Sequence, residues 1–278
     1  MFVPEQGGRA EIIMKKGIRL HDVSGEDIKD SLNKCKKMGI DYLQFVPEKS
    51  ISGFEFGKFT REYAEEIKDT VKDFNIAVLG SYINPSAPED GELEANIAKF
   101  KEKIKYASVL KPIVVGTETG IFIEGKTHTE EAYQRVLNTM KILAKEAEKY
   151  NVCIGIEGVS CFVINTPEKA ARLIGDLNTD NVKVIFDPVN LITYENYKNQ
   201  DEIITDMFSL CGDKIAVIHA KDFVAENSGI RLVTPGEGML DYNLIFAKLR
   251  EYGLDIPIIS EELDEKKAEK GFSNLSKF

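Results

Sequence analysis

An eightfold β/α barrel, occupying residues 1–278 as one domain, is the architecture this sequence predicts, on three observations. Short runs rich in Val, Ile and Tyr alternate with longer segments whose apolar residues recur every three or four positions. The strand-forming runs number eight, the count that closes a parallel barrel under a jacket of helices. No Pro-, Gly- or Ser-rich linker divides the chain.

Taken in order, the first strand is expected over 17–20, followed by a helix with Ile28, Leu32 and Cys35 on one face. The second, 42–46, precedes a stripe of Tyr63, Ile67, Val71 and Phe74; the third, 76–81, precedes Ile97, Phe100 and Ile104. The fourth, 112–116, leads to Val136, Met140, Leu143 and Ala147, with Thr127-His-Thr-Glu130 as the capping box of that helix. After the fifth, 152–157, Thr166-Pro167-Glu168 marks a helix start with proline at its first position. The sixth, 183–187, precedes Ile203, Met207 and Leu210, and the seventh, 215–219, precedes Ile245, Leu249 and Tyr252. The eighth, 257–261, runs into a charged helix at 264–270. A doubly wound open sheet is the alternative, but it ordinarily carries a Gly-rich phosphate turn after its first strand, which Arg19-Leu-His-Asp-Val-Ser-Gly25 does not match.

Composition bounds the partners. With 36 Lys and Arg against 46 Asp and Glu the net charge is −10, which repels nucleic acid and acidic membrane surfaces. Cys35, Cys153, Cys161 and Cys211 show no Cys-x-x-Cys spacing, so reduced thiols in a cytoplasmic protein are expected. The opening residues lack a basic start with an apolar stretch, and no run approaches the roughly 20 apolar residues of a membrane helix. A small molecule is the expected partner; self-association stays open.

In a parallel barrel the reactive groups lie at the carboxyl ends of the strands. The last four strands end in Glu157, Asp187, His219 and Glu261. Each follows an apolar run, where a carboxylate is costly unless paired or bound to a cation, and convergence on one divalent ion satisfies all four. Independent strand-end residues, hydrogen-bonded to loops, are the simpler alternative for any one of them. Three oxygen donors and an imidazole suit Mn²⁺, Mg²⁺, Co²⁺ or Zn²⁺.

The pieces Ile156-Glu157, Phe186-Asp187-Pro-Val-Asn190, His219-Ala-Lys221-Asp222, Gly236-Glu-Gly238-Met-Leu-Asp241 and Pro257-Ile-Ile-Ser-Glu261 resemble the xylose isomerase-like barrel family of sugar phosphate isomerases and epimerases. The likeness is carried by strands five to eight and, in the first half, by topology alone. It implies that Glu157, Asp187, His219 and Glu261 bind a metal and that the two glutamates also transfer protons. Two positions depart from the family: Asn190 stands where many members carry His, and Ala225 where ketose 3-epimerases carry Arg.

On that reading one glutamate removes the proton beside a metal-polarised carbonyl, and the enediolate is reprotonated to an epimer or an isomer. Lys221, two residues after His219, is expected to point the same way and bind substrate; His21, Tyr82 and Asn84 occupy the same rim and are expected to bond hydroxyls. Glu262 is expected to face away by alternation. The loop 47–58, with Phe54 and Phe56, is long enough to cover a sugar or to pack its rings beneath itself, and the Thr234–Gly238 turn is a weak phosphate candidate. A lyase or dehydratase needs the same parts. A DNA-repair endonuclease of the same superfamily would need more histidines than His21, His128 and His219. A non-catalytic sugar or metal sensor would bind without proton exchange.

Overall fold

Eight parallel strands close into a ring in the computed structural model of the chain, which describes residues 14–278. They are β1 (Lys16–Arg19), β2 (Tyr42–Phe45), β3 (Asn75–Gly80), β4 (Val114–Thr117), β5 (Ile154–Glu157), β6 (Val182–Phe186), β7 (Ile215–Ala220) and, after two strands outside the ring, β10 (Ile258–Ser260). Around the barrel the order is β1-β10-β7-β6-β5-β4-β3-β2, so β1 pairs with both β10 and β2. The expected (β/α)₈ fold is thus present, each strand starting or ending within a few residues of its forecast position.

The barrel is filled by a cluster of Val78, Val114, Ile185, Val217 and Ile259. Gly155 on β5 makes room for it: a Cβ there would lie 2.7 Å from Val114 Cγ2 and 2.9 Å from Ile185 Cδ1. The larger cluster lies between strands and helices, under α1 (Ile28–Lys37), α2 (Pro47–Ser50), α3 (Arg61–Thr70), α4 (Asp90–Leu110), α5 (Glu130–Tyr150), α6 (Pro167–Leu177), α7 (Pro188–Leu191), α8 (Gln200–Cys211), α9 (Tyr242–Glu251) and α10 (Glu265–Leu275). The Thr166 hydroxyl accepts from Lys169 N, the cap that Thr-Pro-Glu foretold. At α5 the cap is Thr129, accepting from Ala132 N, and not the box starting at Thr127; His128 is exposed.

Two further corrections concern the second half. Along α8 the buried face is Ile204, Met207, Phe208 and Cys211, while Leu210 is 49% exposed: the true stripe holds the i, i+3, i+4, i+7 pattern, one position away from the expected Ile203 and Leu210. At α9, Ile245 and Leu249 are buried but Tyr252 is 38% exposed. The hairpin of β8 (Asp222–Glu226) and β9 (Gly229–Val233), antiparallel and outside the barrel, was not anticipated. Its turn residues Asn227 and Ser228 have φ of 50° and 60°, the mirror-image turn that suits two-residue hairpins. No helix among the described residues is long and apolar enough to cross a membrane.

Candidate metal centre

The carboxyl ends of β5, β6, β7 and β10 deliver Glu157, Asp187, His219 and Glu261 to one point, all four buried. One ligand atom from each lies within 4.8 Å of every other. His219 Nδ1 is 3.2 Å from Glu157 Oε1, 3.4 Å from Glu261 Oε2 and 3.9 Å from Asp187 Oδ2. Asp187 also caps α7, its Oδ1 accepting from Asn190 N, while its buried Oδ2 accepts no well-aligned hydrogen bond although Lys221 Nζ is 3.0 Å away.

Three carboxylates packed this closely demand positive charge. Burial lowers the proton affinity of His219, yet the charges of Glu261, Glu157 and Asp187 outweigh it and lift its pKa to about 9. Burial lifts Asp187 above its usual range despite Lys221. Burial acts the same way on Glu261, but His219, Lys221 and Arg19 together hold its carboxyl well below the usual carboxylate range. The donor set, three carboxylates and an imidazole, fits a hard or borderline divalent cation.

Lys221 reaches into this cluster: its Nζ is 2.8 Å from Glu261 Oε1, 3.3 Å from Glu262 Oε2 and donates to Asn190 Oδ1 at 3.1 Å. Asn190 in turn donates through Nδ2 to Glu157 Oε1 at 2.7 Å, so this amide joins Lys221 to Glu157. Glu262 does not simply turn away. Its φ of 62° swings its carboxylate towards Lys221, and its N–H donates to Asp22 Oδ2 at 2.7 Å. Asp22 is itself gripped by the Arg19 guanidinium, whose Nη1 lies 3.8 Å from Glu261 Oε1.

Gln44, absent from the sequence-based set, is fully buried on β2 and donates through Nε2 to Glu261 Oε2 (3.1 Å) and Tyr82 OH (2.5 Å). Tyr82 therefore stands beside the centre. Asn84 does not reach it: Nδ2 donates to Ile121 O, and Oδ1 accepts from Ser86 N and Oγ, so the side chain braces a loop. His21 sits at the rim; burial and the Arg19 charge lower its pKa to about 4, leaving it neutral at pH 7. Phe54 packs against Tyr63 and Tyr106, and Lys103 lies 5.1 Å and 5.0 Å from the Phe54 and Phe56 ring centres while pairing with Glu48. These contacts pin the loop down.

The Gly-x-Gly turn does not present its N–H groups to a phosphate. Asp222 takes them, accepting from Gly236 N, Gly238 N and Leu240 N as well as Phe223 N. A Cβ on Gly238 would lie 2.2 Å from Asp222 Oδ1, which is why glycine is needed there. Asp241 then caps α9. The motif thus supports the chain that carries His219 and Lys221.

Glu118, directly after β4, also escaped the sequence reading, although a charged residue closing an apolar strand is the signal the other four gave. Burial, then the Glu157 and Glu261 charges, raise its pKa to about 7. Ionising it costs the folded state, so its contribution is intact below pH 4.5 and lost as pH rises through 7. Glu118→Gln is expected to stabilise the metal-free protein at pH 8 by about 1–2 kcal/mol, the full shift being discounted for partial exposure, and to have little effect near pH 4.5. Urea midpoints at the two pH values test this; equal effects at both would contradict it.

A family profile described as xylose isomerase-like TIM barrel matches residues 32–278. An inosose isomerase of Bacillus velezensis is 24% identical over 265 residues, covering 87% of this chain and 85% of that protein. An inosose dehydratase of Lacticaseibacillus casei is 22% identical over 259 residues, covering 82% and 85%. Among solved structures, a D-tagatose 3-epimerase-like protein superposes with a TM-score of 0.75 at 20% identity, and the IOLI protein with a bound zinc atom at 0.75 and 21%; both cover 95% of this chain and 96% of theirs.

Proposed function

The chain belongs to the xylose isomerase-like TIM-barrel family, and from that premise we propose that it is a divalent-metal-dependent isomerase or epimerase of a sugar or sugar-derived polyol. The observation that carries the reading is the buried convergence of Glu157, Asp187, His219 and Glu261. These four would hold the ion, one of Mn²⁺, Mg²⁺, Co²⁺ or Zn²⁺. When bound, it supplies a Lewis acid that polarises a carbonyl and acidifies the adjoining C–H. The inosose isomerase relative supports a cyclic polyhydroxy ketone as one substrate class, and a cytoplasmic location is part of the same reading, the net charge of −10 disfavouring an acidic membrane surface as partner.

The protein's own groups then divide the work. Glu157 and Glu261 enter the cluster from β5 and β10, and one carboxylate takes the proton while the other returns it, to the same carbon for an epimer or to its neighbour for an isomer. Asn190 orients Glu157, and Gln44 orients Glu261. Lys221 donates to the oxygen that gains negative charge. Tyr82, whose hydroxyl oxygen accepts from Gln44, retains its own proton to donate to a substrate hydroxyl.

A second reading, dehydration, is favoured by the dehydratase relative: the same carbanion beside a carbonyl can expel a β-hydroxyl. A substrate panel assayed in D₂O tests both. Deuterium at the carbon beside the carbonyl without loss of water supports isomerisation; water loss supports dehydration, and unlabelled product contradicts proton transfer. His219→Ala is expected to lower metal stoichiometry from one per chain to well below half, measured by elemental analysis after dialysis. Unchanged stoichiometry would remove His219 from the ligand set.

A further inference from the structure

Alternation along β4 sets a further carboxyl group in the layer of the metal centre. Val114 helps fill the barrel, and a Cβ on Gly116 would lie 2.5 Å from Val78 Cγ1 and 2.9 Å from Ile185 Cδ1, two more of the filling side chains. The next inward position is Glu118. The same step of two leads from Gly155 to Glu157, from Ile185 to Asp187, from Val217 to His219 and from Ile259 to Glu261. Thr117 pairs with Ile156 across β4 and β5, so Glu118 follows at the strand end next to that of Glu157.

The backbone of Glu118 is held firmly, yet its side chain is uncommitted. Thr117 and Thr119 on either side are fully buried; Thr117 Oγ1 donates to the Glu118 carbonyl at 3.0 Å, and Thr119 Oγ1 accepts from Ile164 N at 3.0 Å. The half-buried carboxyl group of Glu118 has no hydrogen-bond or ion-pair partner among the described residues. Other acids of the mouth are engaged: Asp22 by Arg19, Glu262 by Lys221, and Glu157, Asp187 and Glu261 in the ligand set, where a carboxylate must be deprotonated. Burial is the largest cause of the raised proton affinity of Glu118, and it belongs to the strand end whatever the charges nearby. Isomerisation has no use for such a group, because Glu157 and Glu261 suffice to take one proton from carbon and return it. Loss of water does, since hydroxide is a poor leaving group until an acid protonates it.

We propose that Glu118 is the catalytic acid for a dehydration at this centre, giving its proton to the hydroxyl that leaves from the carbon β to the substrate carbonyl. The inference rests on the proton-transfer reading above and selects elimination as its outcome. One glutamate of the ligand set takes the proton from the carbon beside the carbonyl. The electron pair of that C–H bond becomes the new C=C bond, the β C–O bond breaks with its pair on oxygen, and the Glu118 proton completes a water molecule. No oxidant or reductant enters, and the proton held by the base passes to solvent as Glu118 regains one.

The test follows two events on the metal-loaded protein in D₂O with keto-myo-inositol, a cyclic polyhydroxy ketone, as probe: deuterium at the carbon beside the carbonyl by NMR, and the conjugated product of water loss by its ultraviolet absorbance. The unaltered chain is expected to release water, and Glu118→Gln to lower the ratio of water loss to exchange by about 100-fold or more, the effect of removing a positioned acid. Glu118→Asp, which keeps an acid on a shorter arm, is expected to regain at least tenfold of that ratio. A merely structural role would slow both events together, and an unchanged ratio in Glu118→Gln overturns the proposal. Exchange without water loss in the unaltered chain also overturns it and leaves the isomerase standing, whereas a chain that does neither overturns both readings.

Discussion

Glu157→Gln is expected to reduce solvent-deuterium exchange by roughly 10²–10⁴-fold, the contribution typical of a positioned general acid or base. Glutamine preserves the volume of the side chain and leaves Oε1 able to accept from Asn190 Nδ2, the 2.7 Å bond that holds Glu157 in place. What it loses is the lone pair that takes a proton and the charge facing His219 Nδ1 at 3.2 Å. Because the same oxygen is a candidate ligand, the rate must be read at saturating metal, with occupancy measured alongside it. A fall in kcat at full occupancy assigns Glu157 to proton transfer. A fall that disappears as metal is added assigns it to binding alone, and retained activity at ordinary metal removes it from the mechanism.

The second large effect falls on stability. Asp222→Ala is expected to cost about 3–4 kcal/mol, read as a shift of the urea midpoint, because the Asp222 carboxylate is buried and accepts from four backbone N–H groups at 2.7 to 3.0 Å. The donors left behind are not all equal: Gly236 and Gly238 are exposed and regain water, whereas Phe223 and Leu240 are buried. That asymmetry keeps the loss below the sum of four bonds. The same change loosens the segment beside Lys221, whose carbonyl accepts from Tyr242 OH at 2.6 Å, so metal-dependent activity should fall with it. A loss under 1 kcal/mol would show that Asp222 does not hold the turn.

Residues differ in how far the sequence betrays them. Glu157, Asp187, His219 and Glu261 were legible because each ends an apolar strand, and barrel topology alone then brings strand ends to one rim. Gln44 was hidden by the same logic: it sits inside Tyr42-Leu-Gln-Phe45, and only the closed ring shows that its side chain points inwards to Glu261. Asn84 and Tyr82 are two residues apart on one rim, yet one braces a loop and the other meets the centre, a choice made by the neighbouring Ile121 and Gln44. The helical stripe of α8 was misplaced by one position because Ile203 and Ile204 are equally apolar, and the packing partners decide between them. Glu262 broke the alternation through a left-handed backbone that no side-chain pattern announces.

The central claim is that four strand-end side chains grip one ion, and crystals of the protein grown with Mn²⁺ test it most directly through anomalous scattering at the manganese edge. The account predicts a single strong peak per chain, about 2.0–2.3 Å from an oxygen of Glu157, Asp187 and Glu261 and from a ring nitrogen of His219. A barrel mouth without a peak at millimolar metal, or a peak held by other residues, would contradict it.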